Sequence, residues 1–177
     1  MGIPKGKQQA AAIYGLVVLT GLFWGGLLTC SSAYAKEMQG RFGLGYNSEF
    51  SNSTSTQRVP GVSIKYGLTR DIAVEAIAGI DTSGASNNSV TGLKFFKNIF
   101  YETYLNFYFM LGAGIVSANT KSGADFLGGF GAEFFIPGVD SLGLAFETGG
   151  AFGNITGSFA VRTLGVSFLD AGIHFYF

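Results

Sequence analysis

The sequence predicts an all-β protein: an eight-stranded antiparallel up-and-down β-barrel that crosses a membrane and follows a cleaved signal peptide. Composition is the first reason, because charged residues make up 12% of the chain, about half the usual share, while aromatics reach 15%. Strict period-two alternation is the second, and an apolar N-terminal leader is the third. A soluble β-sandwich or lipocalin-like barrel is the alternative.

The stretch Val161–Phe177 shows the alternation most clearly. Counting back in twos from the final residue gives an apolar set: Phe177, Phe175, Ile173, Ala171 and Leu169. The residues between them form a mixed polar set: Tyr176, His174, Gly172, Asp170 and Phe168. A soluble sheet seldom carries such a strand unprotected, whereas a membrane barrel pairs its last strand with its first and turns the apolar face to lipid.

This segment resembles the closing strand of bacterial outer-membrane barrels. In that family a terminal Phe, with apolar residues two, four and six positions earlier, is recognised by the assembly machinery. The resemblance therefore implies an assembly signal at Ile173, Phe175 and Phe177, with that machinery as a partner. The remainder resembles, as a pattern only, the small OmpX/OmpA-membrane-domain group of the porin family. It departs from OmpA in lacking a following peptidoglycan-binding domain, and from OmpX in having short outer loops.

The N-terminus predicts export. Lys5 and Lys7 precede the apolar stretch 10–28, and the small residues Ala33 and Ala35 flank Tyr34 before a cut. This pattern predicts a signal peptide over residues 1–35 and a barrel domain over residues 36–177. A retained transmembrane helix and a lipoprotein anchored at Cys30 are the two alternatives.

Cleavage after Ala35 would remove the only cysteine, so the mature chain would hold no disulfide and no thiolate ligand or nucleophile. Losing two lysines and no acid would leave nine basic and eleven acidic residues, a net charge of −2. This balance offers no basic field for nucleic acid. With one histidine in the chain, we also expect no transition-metal site and no cofactor.

Eight strand-like stretches divide the mature chain: Arg41–Phe50, Val59–Tyr66, Ile72–Ile80, Ser89–Lys97, Glu102–Val116, Asp125–Ile136, Leu142–Gly150 and Val161–Phe177. The first, third, fifth and seventh connections are rich in Ser, Thr, Asn and Gly and are roughly seven to ten residues long. The other three are tighter and have aromatics beside them. We expect outer loops on one side, periplasmic turns with an aromatic girdle on the other, and both termini in the periplasm.

The inward face collects most of the strand charges, and these form the predicted lumen network: Arg41, Lys65, Glu75, Lys94, Glu133, Glu147, Arg162 and Asp170. Because an unpaired charge in a narrow lumen is costly, we expect the four bases and four acids to pair. Inward glycines either leave a cavity or relieve crowding among larger side chains.

These observations favour a monomeric outer-membrane protein with a charge-plugged lumen, a structural or surface role and no catalysis. Its partners would be outer-membrane lipid and lipopolysaccharide. A narrow pore or carrier for a small solute is one alternative. A lipid A-modifying enzyme is the other, which is disfavoured because His174 is predicted near the periplasmic end and the residue two positions on is Tyr176.

Overall fold

The computed structural model describes residues 36–47, 61–83, 86–118, 120–154, 159–164 and 170–177. The predicted signal peptide, residues 1–35, lies outside them. In this part of the chain no helix has the length and apolar character needed to cross a membrane. Nine strand segments are present there: β1 Phe42–Asn47, β2 Gly61–Gly67, β3 Ile72–Ser83, β4 Ser86–Glu102, β5 Leu105–Ala118, β6 Lys121–Ile136, β7 Val139–Asn154, β8 Phe159–Thr163 and β9 Asp170–Tyr176.

The strands form a closed antiparallel barrel with eight strand positions. Each strand from β1 to β7 pairs with the next along the chain, and β9 pairs with both β7 and β1. Backbone hydrogen bonds at Phe42 and Phe177 extend this closing seam, with the Phe177 amide donating to the Phe42 carbonyl at 2.8 Å. The predicted eight-stranded up-and-down barrel is therefore confirmed.

The eighth strand position is shared by two segments, because β8 and β9 both pair with β7. Thr163 and Asp170 are seven residues apart, whereas their partners on β7, Gly150 and Glu147, are three apart. The eighth position thus carries extra residues relative to β7. The predicted outward Leu169 and inward Phe168 lie outside the described residues.

Several predicted boundaries are wrong because the hairpins are tighter than the composition suggested. Residues 81–83 and 86–88, predicted as a polar loop, continue β3 and β4 in register. The predicted loop 117–123 likewise reduces to two residues between Ala118 and Lys121. Strand pairing uses backbone groups, so a loop-like composition does not by itself end a ladder, and Asn88 of this extension is buried.

The turns at the opposite end fit the predicted short connections. Pro137 and Gly138 join β6 to β7, and Gly138 has φ of 85°, as a Pro-Gly turn requires. The β4–β5 turn falls at residues 103–104, so β4 continues past the turn predicted at residues 98–101. A register shift between Asn98 and Phe100 interrupts its pairing with β5. We call this the short-turn end of the barrel and the other the long-loop end.

Burial alternates along the strands as the period-two pattern predicts. In β2 the pattern is strict, with Ser63 and Lys65 buried and Val62, Ile64 and Tyr66 exposed. The same sides hold around the barrel, since the exposed large side chains are apolar and the inward positions hold buried polar and ionised groups. The barrel therefore encloses its polar and ionised side chains and presents its large apolar ones outside.

Candidate functional site: the charged interior

Glu133 is the centre of one half of a buried ionic cluster inside the barrel. Lys65 Nζ lies 2.9 Å from Glu133 Oε2, and the Tyr176 hydroxyl donates to Glu133 Oε1 at 2.5 Å. His174 Nδ1 lies 3.3 Å from the same Oε1 atom. Strands β2, β6 and β9 thus meet across the lumen through polar side chains.

Lys94 is the centre of the other half, because its ammonium lies between two carboxylates. Lys94 Nζ is 3.0 Å from Glu75 Oε2 and 3.1 Å from Glu147 Oε2. The hydroxyl of Tyr108 donates to Glu147 Oε1 at 2.6 Å. His174 Nε2, 2.9 Å from Glu75 Oε1, links this half to the first.

Aromatic rings line the same cluster. Lys65 Nζ lies 4.4 Å from the Phe96 ring centroid and Lys94 Nζ lies 5.0 Å from it. Phe96 packs edge-to-face on Tyr108, with centroids 5.1 Å apart. Because water is excluded here, the ring faces supply part of the electrostatic environment that solvent would otherwise give the two ammonium groups.

Of the remaining predicted network residues, Arg41 and Arg162 have their printed contacts outside these two halves. Arg41 lies at the short-turn mouth, where its guanidinium is 5.5 Å from the Tyr176 ring and donates to the Asp140 carbonyl at 3.3 Å. Arg162 pairs with buried Asp125. Asp170 is buried opposite Glu147 in the register of β9 on β7.

Inward glycines make room for large side chains. A Cβ atom at position 131 would lie 2.5 Å from the Tyr108 ring, and one at position 43 would lie 2.7 Å from the Tyr176 ring. Both tyrosines donate to carboxylates of the cluster. Of the two interpretations drawn from the sequence, relief of crowding therefore accounts for these two positions.

An apolar layer lies between the cluster and the long-loop end. It is built from buried inward residues of several strands that form one contact cluster, including Ile77, Val90, Val116, Leu127 and Leu164. Leu164 follows β8 directly, is fully buried, and its amide donates to the Gly149 carbonyl at 3.0 Å. The Asp125–Arg162 ion pair lies at this level too, because Asp125 faces Gly114, between Gly112 opposite Leu127 and Val116.

The segment Lys36–Arg41 covers the short-turn mouth. Met38 is buried against Phe135 and Tyr176, and the Gly40 amide donates to the Gly67 carbonyl at 2.8 Å. Lys36 Nζ pairs with Asp140 at 3.1 Å. A cavity beneath this cap has a volume of about 10 Å³, at the lower limit for one water molecule.

Two features of the site escaped the sequence reasoning. Asp125 has the same parity as Glu133 along β6, which predicts an inward side chain, but the predicted network does not include it. His174 lies between Glu75 and Glu133, from which it is separated by 99 and 41 positions in the sequence. No local sequence pattern predicts such contacts. Its only available signal was the parity within the last strand.

Ser63, His174 and Glu133 also resemble the nucleophile, base and carboxylate of a catalytic triad, because His174 lies near both of the other two. Ser63 Oγ lies 3.2 Å from His174 Nε2, but the same nitrogen faces Glu75 and Ser63 is fully buried. A substrate carbonyl would need access to Oγ and nearby donors for an oxyanion. Among the described residues, no group of three or more His, Cys, Asp and Glu side chains is placed to hold a metal ion.

A second ionic group lies outside the barrel wall at the short-turn end. Lys97 Nζ is 3.0 Å from Asp71 Oδ2, and the Tyr101 hydroxyl donates to Asp71 Oδ1. The hydrogen bond from Tyr101 and the adjacent ammonium lower the pKa of Asp71 below its usual value. Because this pair is exposed, it serves below as the matched control for the interior.

Fold and site together define a closed eight-stranded barrel with an apolar exterior and an ionised interior. No family model matches the chain, and no curated protein matches it. Among solved structures, the chain is similar to the N-terminal β-barrel domain of OprF from Pseudomonas aeruginosa, with 14% identity and a TM-score of 0.49. That alignment covers 78% of this chain and 98% of the OprF domain. The fold assigned to this chain rests on its own strand pairing.

Proposed function

We propose that the protein is an integral outer-membrane β-barrel that acts as a monomeric structural or surface component with a closed lumen and no catalytic activity. The supporting observation is the sidedness of the wall: large apolar side chains are exposed outside while ionised residues are buried inside. A soluble barrel would bury the first set and expose the second. Lipid is the solvent that suits this arrangement.

The apolar face of β5 has the length that a bilayer needs. Its outward positions are apolar from Leu105 to Ile115, and Ser117 follows. Ten residue steps of about 3.3 Å, tilted by about 40°, span roughly 25 Å along the barrel axis. This length matches the apolar band of about 25 Å on outer-membrane barrels.

A closed lumen predicts the absence of conductance. Buried side chains fill the interior from the apolar group near Leu127, through the ionic cluster, to the cap at Met38. Purified protein in planar bilayers should therefore give no reproducible channel openings. Regular conductance steps would overturn the closed-lumen proposal and favour the narrow pore. A barrel known to conduct, recorded in parallel, is the positive control for the bilayer measurement.

Recognition by the outer-membrane assembly machinery through the last strand is part of the same proposal. Phe175 and Phe177 are exposed on the outer wall, and Ile173 is half-buried between them and Ala171. We expect Phe177→Ala to slow the appearance of heat-modifiable barrel in the outer membrane several-fold. The substitution keeps the backbone hydrogen bonds to Phe42, so closure of the barrel is not the step removed.

The matched control is Phe159→Ala, which removes an equally exposed outward aromatic from β8. If assembly depends on the terminal residue, the control should assemble at the normal rate. Equal rates for both variants and the unaltered chain would contradict recognition at Phe177. Equal slowing of both would instead indicate a general loss of apolar surface.

A further inference from the structure

The outer wall of the barrel carries an apolar groove in the half that lies nearer the long-loop end. Its volume is about 720 Å³, and a second groove of about 520 Å³ continues it toward the short-turn end, with Leu93 and Ala113 lining both. The floor is low because small side chains from three strands share it: Ala76, Ala78, Ala113 and Ala124. This part of the wall therefore has room for an apolar molecule.

Strand register shows that the groove crosses five strands. One row of successive register partners runs across it from β2 to β6: Val62, Ala78, Thr91, Ile115 and Ala124. Four strand spacings of about 4.8 Å make this row roughly 19 Å wide. A groove of this width suits several acyl chains lying side by side better than it suits one chain.

A row of hydroxyl groups borders the groove on its long-loop side. Ser89, Ser117 and Ser122 are register partners on β4, β5 and β6, and they share the outward parity of the groove residues. From Leu111 to Ser117, six residue steps of about 3.3 Å, tilted by about 40°, span roughly 15 Å, half of a hydrocarbon core of about 30 Å. Since hydroxyl groups donate and accept hydrogen bonds, this border suits the polar head of an amphiphile.

The described side chains give this border a positive charge. Lys121 begins β6 directly before Ser122, and its side chain is exposed. Asp81 lies at the same end of β3, but it is half-buried and shares the inward parity of Glu75. An ammonium group beside a row of hydroxyls attracts an anion that offers oxygen acceptors, such as a phosphate.

We propose that the groove and its polar border form a binding site for lipid A, the phosphorylated and acylated anchor of lipopolysaccharide. The acyl chains lie in the alanine-lined groove, and a phosphate of the headgroup lies at Ser117, Ser122 and Lys121. This inference rests on the proposed outer-membrane function with the long-loop end outside, where lipopolysaccharide is the lipid of the facing leaflet. A phospholipid has the same chemistry but fewer chains, so the width of the groove favours lipid A.

The test is native mass spectrometry of the full chain as the cell produces it, exchanged into detergent micelles and titrated with purified lipid A. We expect the protein to retain lipid A more tightly than phosphatidylglycerol. It should also retain it more tightly than lipid A from which the phosphates have been removed, because Lys121 then has no anion to attract.

Two variants, each with a matched control, test the two parts of the site. Ala113→Phe fills the junction of the grooves and should weaken lipid A binding at least about tenfold, whereas Ala171→Phe adds the same ring to the exposed face of β9 and should leave binding unchanged. Lys121→Gln should weaken binding of the phosphorylated lipid about threefold to fivefold. Lys97→Gln, which changes an exposed lysine at the short-turn end, should not.

Equal retention of lipid A by the unaltered protein and by Ala113→Phe would overturn the proposal. Equal retention of phosphatidylglycerol would assign the groove to ordinary phospholipid, and a dimer in place of bound lipid would assign it to a second copy; either result overturns the proposal. The shift in electrophoretic mobility on heating verifies folding of each variant. Membrane fractionation tests the proposed function separately, because protein that is found in the outer membrane and binds no lipid A overturns this inference alone.

Discussion

Replacing Lys94 with methionine should lower the free energy of unfolding of the barrel by about 3–5 kcal/mol. Lys94 is almost fully buried and its ammonium faces Glu75 and Glu147 at 3.0 and 3.1 Å. Methionine nearly keeps the length and volume, so the change isolates the charge. Two carboxylates would then share a dry interior without their common cation, which is the situation that makes a broken buried ion pair costly.

The measurement is reversible urea unfolding from lipid vesicles or micelles, monitored by far-ultraviolet circular dichroism. Lys97→Met is the matched control, because Lys97 lies on the same strand and pairs with Asp71 at the surface. Solvent and salt screen that pair, so its loss should scarcely move the unfolding midpoint. Equal effects of the two variants on the free energy of unfolding would mean that the buried ion pairs stabilise the barrel no more than the exposed one does.

Replacing Leu111 with arginine should destabilise the barrel by about 2–4 kcal/mol in a bilayer. Leu111 is 55% exposed on the outer wall and lies midway along the apolar run of β5 from Leu105 to Ile115. At that depth a guanidinium has neither water nor a carboxylate beside it. For a soluble protein the same surface substitution would change stability by no more than about 0.5 kcal/mol.

Ser117→Arg gives the matched control, since Ser117 lies on the same face of β5 six residues closer to the long-loop end. Near the interface the expected cost is about 0–1 kcal/mol. Unfolding from vesicles of defined thickness measures both variants. Equal costs at the two positions would contradict the assignment of the exterior to lipid, while a steep dependence on depth supports it.

Side-chain parity made the wall of the barrel predictable. Because neighbouring residues of a strand point to opposite faces, the alternation in β2 and β9 identified the outward Ile64 and Phe175 and the inward Lys65 and His174 without any tertiary information. Hairpin ends were less predictable. Residues 81–88 have a loop-like composition, yet the register of β3 on β4 extends through most of them.

Pairing between distant charges was not predictable from the sequence. Lys65 faces Glu133, and Lys94 faces both Glu75 and Glu147, at separations of 68 residues for the first pair and 53 for Lys94 and Glu147. Those partners depend on the stagger of each strand and on the closing seam between β1 and β9. Neither the stagger nor the closing seam can be predicted from a local sequence pattern.

The amino-acid sequence was enough to predict which side of each strand is apolar, the number of strand positions and the inward charges other than Asp125. These follow from a period of two and from composition, which are local properties. The Met38 cap, the contacts of His174 with both halves of the ionic cluster and the apolar group with Leu164 are visible only in the three-dimensional structure. Closure brings distant residues to one level of a narrow cylinder, where burial, and not sequence proximity, sets the energy of each charge.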